Sequence, residues 1–241
     1  AGVPLGASRN INRGPDILAA LMLQNGTEMM NPDNTQATFN LVPANLRERQ
    51  VQPGRDALVF YTDFASPAKE VYTWNDKMPE SLDAFTSSKS AFFFGYAYHL
   101  PQIKSLAPGL DLGIARLPQI SNTAPAINLA NYWLETVPKQ STRQNEAWAF
   151  IQFAAQAANV RPFLKRTQKP TALRALIAEE RQDDTMITFA DQVLTAESWY
   201  RGPDPKSAEE AIRAMIDQVV KGEATAEAAL NLAAEKINAT L

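Results

Sequence analysis

Residues 81–103 read SLDAFTSSKSAFFFGYAYHLPQI, and the fold class turns on their middle. From Ala91 to Phe94 the chain is an unbroken apolar run closed by Gly95. Its shortness and aromatic content predict a buried strand rather than a helix. The residues before it predict a helix from about Pro79 through Phe85, and those after Tyr98, His99, Leu100 and Pro101 predict a short helix. Leu110, Leu112 and Ile114 then alternate as a strand should ahead of Pro118, and 129–137, LANYWLETV, are a third strand candidate. Three short strands separated by helices predict an α/β or α+β arrangement rather than an all-helical bundle.

Outward from this centre, helical periodicity dominates. In DILAALMLQ, 16–24, Ile17, Leu18, Leu21 and Met22 share a face, Pro15 and Asp16 suit a first turn, and Asn25 and Gly26 predict a glycine stop. In GRDALVFYTDF, 54–64, Ala57, Leu58, Tyr61 and Phe64 form a stripe that ends at Ser66 and Pro67. Ser141 and Gln144 match a capping box ahead of Ala147, Trp148, Ile151, Ala154 and Ala155 at helical spacing. Ser207 to Glu210 repeats that start signal before an amphipathic stripe of Ala208, Ala211, Ile212, Met215, Ile216 and Val219. Gly222 breaks this helix and Thr225 opens the last one, so the two form an antiparallel pair. Polar, proline-bearing connections fall near 31–53, 116–127 and 200–206, none of them a flexible interdomain linker.

Composition removes several chemistries. Among 241 residues there is no Cys and one His, so disulfides, cysteine-ligated metals, thiol nucleophiles and sites needing two imidazoles are all excluded within the chain. The net charge of −3 and pI of about 5.3, with no basic stripe, argue against a nucleic-acid binder. No apolar stretch is long enough for a transmembrane helix, and AGVPLGASRN carries no signal-sequence pattern.

The remaining polar clusters have plain readings beside the functional ones. Glu179, Glu180, Asp183 and Asp184 supply the carboxylate pairs a glycosidase needs, yet they crowd one hydrophilic connection, as a solvated loop would. His99 has no G-x-S-x-G partner motif and reads as structural or surface. Arg161, Lys165, Arg166, Lys169 and Arg174 suit an anion or, more simply, the exposed end of a helix. Aromatics at element ends are more informative: Trp74, Tyr96, Tyr98, Tyr132, Trp133, Trp199 and Tyr200 are available to a cleft, where flat rings stack on the apolar faces of sugars. From the residues alone, a sugar receptor, a carbohydrate hydrolase using a carboxylate pair and a non-catalytic helical scaffold all stay open.

The order of segments narrows this. The succession DILAALMLQNGTEM, ALVFYTDFASPAKEVYTWND, SLDAFTSSKSAFFFGYAYHLPQI, LDLGIARLPQ, ANYWLETVPKQSTRQNEAWAFIQFAA and IRAMIDQVVKGEATAEAALNLAAEKIN resembles the family 1 extracellular solute-binding proteins, the maltose-binding-protein-like receptors of ABC importers. The resemblance runs over nearly the whole chain but looks like only the C-terminal portion of a two-lobed member. It implies a helix-rich α/β fold of the type II periplasmic-binding-protein kind, with 1–115 the first part of the C-terminal lobe, 116–180 a segment of the N-terminal lobe, and 181–241 the closing helices of the C-terminal lobe. It further implies a periplasmic or cell-surface receptor, not an enzyme, that takes a sugar or related small solute in an interlobe cleft, delivers it to permease subunits and uses no cofactor or metal. Apolar surface normally covered by the rest of the first lobe would then be exposed. By resemblance, Tyr96, Tyr98 and Trp199 offer rings to the ligand, Trp74 and Asn75 line a cleft-side connection, and Asn131 and Tyr132 lie beside the hinge.

Overall fold

Proline stands at the start of three of the long helices, where its missing N–H costs nothing and its fixed φ is already helical. These are α1 (Gly14–Gln24), α2 (Pro53–Asp63) and α9 (Pro205–Val220). Between α2 and α9 lie α3 (Ser81–Thr86), α4 (His99–Leu106), α5 (Gln144–Ala154), α6 (Ala157–Thr167), α7 (Ile177–Glu180) and α8 (Ile187–Gln192), and α10 (Ala226–Asn238) follows. Short 3-10 turns occupy Ala44–Arg49, Arg174–Leu176 and Val193–Thr195. Two short strands, β1 (Asn128–Leu129) and β2 (Ala196–Glu197), form a two-stranded sheet. The computed structural model describes residues 1–49, 51–120 and 125–241. The connections expected near 31–53 and 116–127 therefore include positions, 50 and 121–124, that lie outside the described residues.

Packing divides the chain into two compact units. The first comprises Ala1–Gly95, Pro118–Leu129 and Glu197–Leu241, and the second Tyr96–Leu117 and Ala130–Ala196. In the first unit α1, α2, α9 and α10 pack on one another. Leu18, Met22, Leu58, Tyr61, Met215, Ile216 and Ile237 meet in its core. The α9 stripe expected from the sequence is buried at Ala208, Ala211, Ile212, Met215 and Ile216. Thr225 caps α10 by accepting the Ala228 N–H, and the short connection from α9 leaves α10 only an antiparallel return. At the other end of the unit α1 stops as expected, with Gly26 N–H on Leu23 C=O and Thr27 N–H on Met22 C=O. Gly54 is needed for a different reason: a Cβ there would stand 2.0 Å from the Phe39 carbonyl oxygen. The loop before α1 is tied to α9, since Asp217 accepts from Ser8 Oγ and Arg9 Nε, and Arg213 donates to the Ser8 carbonyl at 2.6 Å.

Two capping expectations move. The helix expected from Ser141 begins at Gln144 with Arg143 at the N-cap, and Ser141 Oγ accepts only the Arg143 N–H. The α9 cap is Asp204 rather than Ser207, with its carboxylate accepting the Ser207 N–H and hydroxyl. Those bonds, the hydroxyl's foremost, hold the Asp204 carboxyl below the usual carboxylate range.

The strand expectations are corrected. Residues 91–94 form no strand: Ala91 N–H points at the carbonyls of Ala1 and Gly2 and Phe92 N–H at Gly2, so the run has no ladder to join. Nor is it buried throughout, because Phe92 is 67% exposed, while Phe93 stacks on Phe85 at 5.8 Å. Residues 110–114 are irregular. Of 129–137 only Leu129 belongs to a strand, and Tyr132, Trp133 and Leu134 face solvent.

The second unit rests on a thinner interior. Leu100 and Ile103 of α4, with Leu176, Ile177, Met186 and Ala190, are buried, whereas α5 buries no residue. The Asp191 carboxylate accepts from Arg116 and Arg181 and so ties three separate stretches of this unit.

Candidate functional site

The candidate site residues singled out in the sequence fall into both units: Tyr96, Tyr98, Asn131 and Tyr132 in the second, Trp74, Asn75 and Trp199 in the first. Each set is best understood within its own unit.

In the second unit a tight turn precedes α4. His99 is 2% exposed, and its Nδ1 accepts the Tyr96 N–H at 2.9 Å. That bond folds the two tyrosines back over the imidazole, with the Tyr96 and Tyr98 rings 5.7 Å apart at 21° and Tyr98 4.1 Å from His99. Tyr98 keeps part of its ring exposed and Tyr96 is half-buried. The arrangement is a stacked aromatic platform held by a buried histidine, and a flat apolar face of this kind suits a sugar ring or another planar group. His99 therefore acts as the platform's base, in keeping with the structural role read for it. Asn131 and Tyr132 are exposed in the irregular stretch after β1.

In the first unit Trp74 is 1% exposed and packs with Ala7, Ile11 and Ala84, so it presents no ring face to solvent. Asn75 is spent locally: its amide donates to the Tyr72 hydroxyl, its Oδ1 accepts the Lys77 N–H at 2.9 Å, and its carbonyl accepts from Asn10. These two residues shape the 72–78 turn. Trp199 lies just after β2, half-buried against the helical core, with the Arg201 guanidinium 5.5 Å from its ring centre. Beneath Arg201 lies Asp16, a buried carboxylate that also accepts from Arg13. Arg13 and Asp16 stand three apart at the helix start, and no sequence spacing links them to Arg201.

The acidic group does not assemble a reaction centre. Glu179 pairs with Arg161, Glu180 accepts the Thr171 N–H, and Asp183 accepts the N–H groups of Thr185 and Met186. Partial burial pushes the Glu180 carboxyl up, against the pull of the Thr171 bond. Lys165 and Arg166 lie in the last turn of α6, the helix-end position read for the basic cluster. Among the described residues no group of three or more His, Cys, Asp or Glu side chains is placed to hold a metal, and no helix is long and apolar enough to cross a membrane.

Comparison with known proteins adds the family. A family profile described as bacterial extracellular solute-binding protein matches residues 14–188. No curated protein sequence matches the chain. Solved structures do: an ABC transporter solute-binding protein from Thermotoga lettingae TMO bound with α-D-tagatose is 17% identical, with a TM-score of 0.62, over 99% of this chain and 58% of its own. The cyclic α-maltosyl-1,6-maltose binding protein from Arthrobacter globiformis is 18% identical, with a TM-score of 0.66, over 94% of this chain and 55% of its own. A cyclo/maltodextrin-binding protein complexed with maltotetraose is 17% identical, with a TM-score of 0.67, over 93% and 56%. At such identities the likeness establishes the helix-rich solute-binding-protein fold. The chain spans less than three-fifths of the length of these three structures.

Proposed function

The chain belongs to the bacterial extracellular solute-binding proteins, and on that premise we propose that it is the receptor component of an ABC importer, capturing a sugar in a cleft between lobes. The observation that carries the reading is the family match over 14–188, and the Tyr96–Tyr98 platform supplies a surface of the right chemistry. The structures it resembles are named with sugars, from tagatose to maltotetraose, and this supports a sugar as the ligand class. In this reading 1–115 and 181–241 belong to one lobe and 116–180 to the other. Tyr96, Tyr98 and Trp199 stack on the solute, Asn131 and Tyr132 border the hinge, and Trp74 and Asn75 stiffen the wall behind. Solute contacts made only in the closed form would shift the receptor toward the state that permease subunits accept, at the periplasmic or cell-surface side. The chain would release its solute unchanged, with no catalytic step.

Calorimetric titration of D-tagatose, maltose and maltotetraose tests this, against the 241-residue chain and against a version extended to the length of its structural relatives. Saturable heat in the extended protein, weaker or absent here, with the sugar recovered intact, is the expected result. No heat with any of the three in either protein overturns the sugar reading, and a hydrolysed product overturns the receptor reading.

A further inference from the structure

Asp16, in the first turn of α1, is 4% exposed, and a carboxylate taken that far from water persists only when charges and hydrogen bonds replace its hydration. Both of its oxygens are met by arginine. Arg13, the left-handed N-cap residue at φ 58°, brings Nε to 2.8 Å of Oδ2, and Arg201 brings Nη2 to 2.8 Å of Oδ1 from 185 residues further along the chain. The same Arg201 guanidinium stands 5.5 Å from the Trp199 ring centre, within the range of a cation–π contact.

The Trp199 ring needs such help. Its indole Nε1 is buried and has no hydrogen-bond partner among the described residues, so no polar bond of its own sets its tilt. On the far side of Arg201 the chain turns at Gly202, φ 74°, where a Cβ would stand 2.8 Å from Leu241 Cδ2. Gly202 supplies the left-handed turn, and the 199–202 segment is held at Arg201 by charge.

We propose that the Arg13–Asp16–Arg201 cluster is a positioning device for the Trp199 ring, fixing the face that ring shows to a bound solute and so setting affinity. This rests on the reading of Trp199 as a solute platform. Asp16 and Arg13 touch no solute and act through Arg201. A fixed ring loses little freedom on binding, and preorganisation of this kind raises affinity without adding a contact.

Labelling with 5-fluorotryptophan gives one fluorine resonance for each of the four tryptophans, with that of residue 199 assigned by Trp199→Phe. Asp16→Asn and Arg201→Gln are expected to move and broaden the Trp199 resonance while those of Trp133 and Trp148 stay in place. Arg201→Lys, which keeps the charge but not the planar fork, should restore it only in part. The dissociation constant for whichever of D-tagatose, maltose or maltotetraose binds should rise up to about tenfold in Arg201→Gln. A Trp199 resonance unmoved in Arg201→Gln overturns the inference, and so does a shift shared by all four tryptophans, which would make the cluster a support of the fold. Trp199→Ala with unchanged sugar affinity removes the solute role of Trp199, a failure of the earlier reading that the fluorine spectrum separates from failure of the clamp.

Discussion

Tyr61 is fully buried on α2 and donates its hydroxyl to the Ala7 carbonyl at 2.8 Å, linking the helix to the loop before α1. Burial, the largest influence, pushes its phenol well above the ordinary value of about 10. Because the folded state holds this proton more tightly than the unfolded one, the group's contribution is fully present below pH ~10 and is lost as the pH climbs above it. Tyr61→Phe should cost about 1–3 kcal/mol at neutral pH by stranding a buried carbonyl, and urea titrations at rising pH should show a flatter fall in stability above pH ~10 than in the parent. An unchanged alkaline slope would show that other tyrosines carry it. Residue types in the sequence put Tyr96, Tyr98 and Trp199 among seven aromatics available to a cleft, and none of the three is fully buried. They could not distinguish these from Trp74, because an aromatic at an element's end looks the same whether the chain folds over it or away from it. Asn75 was equally opaque, since its amide is consumed by a turn that only the backbone path reveals.

At the scale of elements, the helices with a continuous apolar stripe were legible because a 3.6-residue period is written locally. α1, α2, α9 and α10 lie where that period placed them, to within a few residues. The strands were not legible, because strand identity depends on a partner that no local window contains. The FFF run of 92–94 has the composition of a strand, yet it pairs with no other strand, and its Phe92 N–H goes to the Gly2 carbonyl. α5 shows the converse: its helical spacing is real, yet Trp148, Phe150 and Phe153 remain exposed. Substitutions should separate the two kinds of apolar position. Ile216→Ala in α9 should destabilise the protein by about 2–5 kcal/mol through a lost side chain and the cavity behind it. Phe150→Ala in α5 should leave the chemical-denaturation midpoint nearly unchanged while improving solubility. Equal losses in the two variants would mean that α5 is covered in solution.

For the molecule as a whole, the family and its helix-rich fold were legible from the order of six segments, and the family match over 14–188 spans the first five of them. The borders of the two compact units at 95, 129 and 196 fall at no compositional break, and that at 117 lies in the proline-bearing connection near 116–127. Hydrogen exchange should reveal unequal units. Amides of α1, α2, α9 and α10 should exchange slowest, with protection approaching the global unfolding free energy, and those of α5 orders of magnitude faster. Uniform protection across both would contradict the distribution of buried side chains. The first unit draws its core from both extremes of the sequence, α1 and α2 near the beginning, α9 and α10 at the finish. A ribosome releases such a chain in the wrong order for that core: the inner faces of Leu18, Met22, Leu58 and Tyr61 emerge about 150 to 220 residues before Met215, Ile216 and Ile237 exist to cover them. Until α9 and α10 emerge, the first unit presents sticky half-cores for a holding chaperone to shield.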